Sequence, residues 1–318
     1  MDMEGILEVS DLRVYYKTIW GEFKAVDGVS FGVNKKEVFG IAGESGCGKS
    51  TLVEGVLRLV KPPGYIKSGK VLFEGVELLS LPEEELRKIR WKKISYIPQG
   101  SMNSLNPVLK VKEQMLDAIT AHSDLSREEA LSFASDMLKA VGLPEEVLEM
   151  YPHELSGGMK QRVIIATAVA LKPNLVVADE PVTALDVVMQ RAVLESIANL
   201  RDEFGVSVLF IAHDMAAHAE IVDRLAIMYA GKIVEIGTVY DIFQDPVHPY
   251  TKGLIAAIPS IGKKIVKSIP GLAPSPLMWP PGCRFHPRCP YAMDTCKKEE
   301  PTLKEISSGH FVACHLYR

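Results

Sequence analysis

Short runs in which apolar and polar positions alternate open the chain. Leu7-Glu8-Val9 and Leu12-Arg13-Val14-Tyr15-Tyr16 predict strands, as do residues 25–31 and 37–42. A glycine-rich turn then leads into a helix predicted over 49–60, closed before Pro62-Pro63-Gly64. Residues 110–150 change period: Glu, Lys, Leu and Ala at helical spacing predict a largely helical insert. Strand patterns return at Leu175–Ala178 and Val206–Ala212, flanking a helix over 186–203. A hairpin follows, with arms Leu225–Tyr229 and Lys232–Ile236 around Gly231. This alternation of strands and helices predicts an α/β core with both sheet faces covered. From Pro270 to Pro290 proline, glycine and cysteine dominate and no helical period survives, so a boundary is expected near residue 260. No internal repeat is visible.

Composition narrows the function classes. A chain of 318 residues with 47% hydrophobic and 24% charged positions suits a globular protein with a large core. The net charge of −4 supplies no basic field, so no nucleic-acid partner is expected. The longest apolar run, Val163 to Leu171, is about half of the roughly 18 residues a spanning helix requires. The acidic start Met1-Asp2-Met3-Glu4-Gly5 lacks the pattern of a signal peptide, which makes any membrane role peripheral. Cys47 stands alone, whereas Cys283, Cys289, Cys296 and Cys314 crowd the end of the sequence. Without an export signal, four clustered cysteines point to a metal or cluster site before disulfides.

Three motifs carry chemistry. Gly43-Glu44-Ser45-Gly46-Cys47-Gly48-Lys49-Ser50-Thr51 fits the phosphate-loop pattern G-x-x-x-x-G-K-[ST]. Glycines let successive N–H groups face a phosphate, and the following helix adds its positive end. Lys49 would reach the β- and γ-phosphates, and the Ser50 hydroxyl would ligate Mg²⁺. Chance alone gives this pattern in roughly one such chain in a hundred, fewer with a strand before it and a helix after it. Downstream, the apolar strand Leu175-Val176-Val177-Ala178 ends in Asp179-Glu180, at a sheet edge where ligands of α/β folds bind. Asp179 is the expected Mg²⁺ holder and Glu180 the general base that polarises attacking water. Such a pair is by itself a common strand-end turn, and its weight comes from the company it keeps. Between the two lies Leu155-Ser156-Gly157-Gly158-Met159-Lys160-Gln161-Arg162.

That trio, in that order, resembles the ATP-binding subunit of an ABC (ATP-binding cassette) transporter. The resemblance implies a P-loop NTPase core with an antiparallel β subdomain, a helical subdomain over about 100–160 and ATP hydrolysis as the activity. It also assigns roles. Gln99, after Tyr96-Ile97-Pro98, matches the Q-loop glutamine that senses Mg²⁺ and the γ-phosphate. Ser156, Gly157, Gly158 and Gln161 match the signature that caps ATP held by an opposite subunit. Ala184-Leu185-Asp186 resembles the D-loop, and His213 the switch histidine, although a lone histidine after a strand is more often simply packed or solvated. Tyr16 stands where the family stacks a ring on adenine, with Tyr15 as the alternative and a core tyrosine as the plain reading.

Ser104-Leu105-Asn106-Pro107, Val111-Lys112-Glu113-Gln114 and His248-Pro249-Tyr250-Thr251-Lys252-Gly253-Leu254 closely resemble the oligopeptide/dipeptide importer branch. So does the tail, from Ile269-Pro270-Gly271 through Pro281 to Pro290. The branch implies a nucleotide-binding domain over 1–260 and a Cys-rich extension over 261–318, on the cytoplasmic face of the membrane. Its implied partners are a second, non-identical ABC ATPase, two permease subunits and an extracellular solute-binding protein. Residues 100–150 would receive the permease, with Met102, Leu105 and Val108 as apolar contacts. The spacing Cys283-x5-Cys289-x6-Cys296-x17-Cys314 is not that of a paired zinc ribbon. It suits a [4Fe–4S] cluster, as some members of the branch carry. Zinc with His286, His310 or His315, and reduced thiols, are the alternatives. Two other functions fit some of these features: a soluble ABC ATPase that remodels nucleic-acid complexes, and a module in which the tail senses redox state or iron.

Overall fold

The computed structural model describes residues 4–258 and 269–317. The expected boundary near 260 falls outside them, as do Met1, Asp2 and Met3 of the acidic start. Two compact units divide the chain: one holds Glu4 with residues 34–38 and 80–211, the other residues 5–33, 39–79 and 212 onward.

In the first unit, Ile94–Ile97, Leu175–Asp179 and Ser207–Ile211 form a parallel ladder, with Tyr96 opposite Val177 and Val177 opposite Leu209. The last two strands are buried along their whole length, which explains their continuous apolar sequence. Helices cover this ladder from the same stretch of chain. Gly157–Val169 is apolar nearly all round and packs inside. Val187–Phe204 starts on the Asp186 side chain and stops at Gly205, whose φ of 65° ends the helix. The insert expected over 110–150 consists of the helices Val111–Thr120 and Arg127–Ala140 and a 3₁₀ turn at Glu145–Glu149. Ser126 and Glu129 close a reciprocal cap on the second helix.

In the second unit an antiparallel sheet is built on Gly5–Thr18, which pairs with Gly64–Phe73. The sequence suggests two strands here, but the structure has one. Asp11 takes a left-handed φ of 46°, and the pairing register shifts between Ser10 and Arg13. A bulge therefore absorbs the break in alternation without ending the strand. The helix expected over 49–60 is shorter, Lys49–Val56, because Arg58 turns left-handed at φ 55° and leads the chain out.

The other ladder of this unit pairs Val38–Ala42 in parallel with Arg224–Tyr229, which forms the expected hairpin with Lys232–Thr238. Two strands of the tail, not anticipated, extend it. His310–Val312 pairs with Lys232–Thr238, and Lys304–Ser307 pairs with His310–Val312. The tail is further anchored by Arg284. Its guanidinium bonds the buried Asp27 carboxylate and the Ala230 carbonyl, and lies over the Trp279 ring. No helix of the described residues is long and apolar enough to cross a membrane.

Candidate active site

The phosphate loop leaves the buried strand Val38–Ala42 and enters the helix Lys49–Val56. Two glycines are dictated by space. A Cβ on Gly43 would lie 2.1 Å from the Met228 carbonyl oxygen, and one on Gly48, at φ 107°, would lie 2.3 Å from that of Ala25. Lys49 is buried, and its Nζ donates to the carbonyls of Gly43 (2.8 Å) and Glu44 (3.3 Å), so its charge lies inside the curve of the loop. The Cys47 thiol is buried too, and burial pushes its pKa up, which makes it a packing group rather than a nucleophile. Ser45 and Gly46 are exposed at the tip, and Ser50, second in the helix, is half-buried.

The two tyrosines separate by strand alternation. Tyr15 points inward and donates to Asp27 at 2.5 Å; burial, with Asp27 next, pushes its hydroxyl up to about 12. It has no free face for adenine. Tyr16 faces the other way, edge-on to Phe23, with its hydroxyl 3.4 Å from that of Thr51 in the phosphate-loop helix. His213 is exposed, just before Asp214 caps the helix Met215–Ile221. A second histidine, His218, is fully buried against the Ala212 carbonyl, and burial lowers it to about 4.

Within the first unit, Asp179 ends its strand almost completely buried. Glu180 follows at a left-handed φ of 49°, which turns its side chain sharply out of the strand. Its Oε2 accepts from Gln99 Nε2 at 3.1 Å and from the Thr183 hydroxyl at 2.9 Å. Gln99 and Glu180 are thus brought together, and with them Thr183, which was not foreseen. Three residues past a carboxylate, a threonine carries no motif of its own.

The signature residues also do structural work. Ser156 caps the helix Gly157–Val169 by accepting from the Met159 N–H. A Cβ on Gly158 would come within 2.5 Å of Met189 Sδ. Gln161 is buried and accepts from the Ser101 hydroxyl, two residues after Gln99, at 3.1 Å. Asp186 accepts from the N–H groups of Val188 and Met189. Of the apolar residues expected to face a permease, Val108 is 74% exposed and its neighbour Leu109 43%, whereas Met102 and Leu105 are half-buried.

The four tail cysteines are free thiols within electrostatic reach of one another. Burial pushes Cys283 up to about 11, and charge on Cys296, Cys314 and Cys289 acts in the same direction. Among the described residues no three His, Cys, Asp or Glu side chains stand close enough to hold a metal ion. Each histidine named for zinc holds a hydrogen bond through one ring nitrogen. His286 meets the Cys283 carbonyl, His315 the Glu299 carbonyl, and His310 the buried carboxylate of Glu235. That same carboxylate accepts the N–H groups of Val247 and His248, which fixes the start of the helix Pro249–Ala256.

Comparison with known proteins agrees with this geometry. Residues 26–183 match the family model "ABC transporter", and residues 234–296 match "Oligopeptide/dipeptide transporter, C-terminal region". The dipeptide transport ATP-binding protein DppD of Caldanaerobacter subterraneus subsp. tengcongensis is 46% identical, covering 99% of this chain and 98% of the relative. The oligopeptide transport ATP-binding protein OppD of Bacillus subtilis is 44% identical, over 96% of this chain and 87% of its own. Among solved structures, the dimeric bacterial ABC transporter cassette MJ0796 superposes with a TM-score of 0.65 at 29% identity, covering 73% of this chain and 98% of that one. A post-hydrolysis form of MJ0796 bound to ADP and Pi gives the same score at 28% identity. The α/β phosphate-loop fold, the order of the motifs and the full-length likeness have one meaning: this chain belongs to the ATP-binding subunits of the ABC transporters, in the oligopeptide/dipeptide branch.

Proposed function

We propose that this ATP-hydrolysing subunit drives the import of di- or oligopeptides. It would work from the cytoplasmic face of the membrane with a second, non-identical ABC ATPase, two permease subunits and an extracellular solute-binding protein. The observation that carries the reading is likeness along the whole chain, tail included, to peptide-transport ATP-binding proteins. The matched regions lend no support to the nucleic-acid-remodelling or sensory readings.

Each residue then has a task. The loop amides of Gly43, Ser45, Gly46, Cys47 and Gly48 cradle the phosphates while the Glu44 N–H stays on the Tyr250 hydroxyl, Lys49 pairs with the phosphates, and Thr51 lies beside Tyr16, which stacks on adenine. The hydroxyl of Ser50, the carboxylate of Asp179 and the amide oxygen of Gln99 are hard oxygen donors, a set suited to Mg²⁺, which when bound neutralises phosphate charge. Glu180, oriented by Gln99 and Thr183, takes the proton of the attacking water. His213 stands by the γ-phosphate. Ser156, Gly157 and Gly158 complete the partner ATPase's nucleotide, Gln161 braces their helix from within through Ser101, and Asp186 orders the turn beside it. With its permease and partner ATPase in lipid vesicles, the subunit should support ATP-dependent uptake of labelled di- or tripeptides. Uptake of another solute class in place of peptides would overturn the assignment.

For the tail, a [4Fe–4S] cluster is the finer proposal. A cuboidal cluster takes one thiolate per iron, and Cys283, Cys289, Cys296 and Cys314 supply four at loose spacing, with zinc as the alternative. When bound, it would staple a segment too small to hold a core of its own. Protein purified without oxygen should carry about four irons and four sulfides per chain, lost in Cys289→Ser. Stoichiometric zinc without iron would refute it.

A further inference from the structure

Glu44 places a carboxylate in a loop where anions are to be gathered. The structure shows what is done with it. Arg288, between Cys283 and Cys289 in sequence, makes a two-pronged ion pair with Glu44: Nη1 to Oε2 at 2.9 Å and Nη2 to Oε1 at 3.1 Å. The guanidinium is itself fixed. Its Nε donates to the Pro270 carbonyl at 2.9 Å, and its side chain is only 6% exposed against 29% for that of Glu44.

The backbone of Glu44 is held from the same side. Its N–H donates to the Tyr250 hydroxyl at 2.9 Å. The Tyr250 ring packs 4.5 Å from Tyr229 and 5.5 Å from Phe285, centre to centre. Phe285 comes from the tail and Tyr250 from the His248-Pro249-Tyr250 stretch, so one residue of the loop is gripped by main chain and side chain from two C-terminal segments.

We infer that Arg288 is a positioning residue for ATP binding: it holds and neutralises the Glu44 carboxylate, so that the loop amides and Lys49 meet the phosphates without a competing negative charge. Paired two-pronged to a guanidinium, the carboxylate is both oriented and cancelled. Left unpaired in a half-buried position, it would repel the phosphates across a medium that screens poorly. The tail then serves the nucleotide site directly, beyond any cluster it carries. This rests on the assignment of residues 43–51 as the ATP-binding loop.

The test is a pair of substitutions in the full chain, read by MgATP affinity. Arg288→Ala should weaken binding on the order of ten-fold. The same substitution in a Glu44→Gln background should cost less than about two-fold, because no charge remains to neutralise. Arg288→Lys, which keeps the charge and loses the fork, should fall between them, and it stands in if Arg288→Ala fails to fold. Equal losses with and without Glu44→Gln would mean that Arg288 only folds the tail, and would overturn the inference, as would unchanged affinity in Arg288→Ala. Lys49→Ala separates the two levels. If it binds ATP normally the loop assignment itself falls, whereas if it abolishes binding while Arg288→Ala does nothing, only the positioning role falls.

Discussion

Glu180 shows how much a single residue has to satisfy. It ends a strand, adopts a left-handed backbone that a side chain normally avoids, and aims its carboxylate at Gln99 and Thr183. Strain of this kind persists where the surroundings over-determine it, and here two hydrogen bonds and the Ile211 carbonyl do so. Glu180→Gln keeps the shape and the strain but cannot take a proton. Turnover should fall by about two to four orders of magnitude, with ATP-bound complex accumulating against the partner ATPase. Steady hydrolysis in that variant, measured as phosphate release, would exclude Glu180 as the base. Motif residues like this one were legible because their chemistry forces type and spacing. Thr183 and Arg288 were not. Arg288 meets Glu44 across 244 residues of sequence, and no local pattern records such a pairing.

Elements were legible where period and punctuation agreed. The helix Val187–Phe204 has an aspartate at its start and a glycine at its end, and it fell within a residue or two of expectation. The strand Gly5–Thr18 was read as two because alternation fails at its bulge, and the tail strands were missed because four- and three-residue runs are too short to show a period. The loop before Val111–Thr120 is of another kind. Gln114 fixes it by bonding the Asn106 N–H and the carbonyls of Asn106 and Leu109, leaving Val108 and Leu109 outside. An apolar pair presented by a braced loop suits a membrane-protein partner. Val108→Asp should leave the ATP affinity of the isolated subunit as it is and abolish the stimulation of its ATPase by the permease. Full stimulation in that variant would place the permease contact elsewhere.

At the scale of the molecule, two fully buried histidines set a pH limit. Burial holds His218 at about 4 and His248 at about 3, against 6.5 for the free side chain. Both pKa values are depressed, so unfolding takes up protons below pH 6.5. The stability they permit is complete above that value and falls as the pH drops toward 4 and then 3. Near pH 5, where both rings are still neutral when folded but charged when unfolded, the unfolding free energy should fall by up to about 2.7 kcal/mol per pH unit. Denaturant titrations from pH 7 to 4 check this; a flat profile would show that the rings reach water when charged. His248→Asn should remove about half the slope.

The tail strands have a consequence for how the chain comes to be. Lys232–Thr238 carries a row of buried apolar residues, and its outer edge is closed by His310–Val312, made much later during synthesis. Until then that edge offers unpaired N–H and C=O groups to any strand nearby. The strand that finally faces outward, Lys304–Ser307, is exposed throughout and carries Lys304 and Glu305, charges that discourage further pairing. A nascent or clipped chain ending before residue 304 would therefore be sticky where one that carries the tail strands is blunt, and the sheet beside the phosphate loop is sealed only after residues 310–312 have left the ribosome.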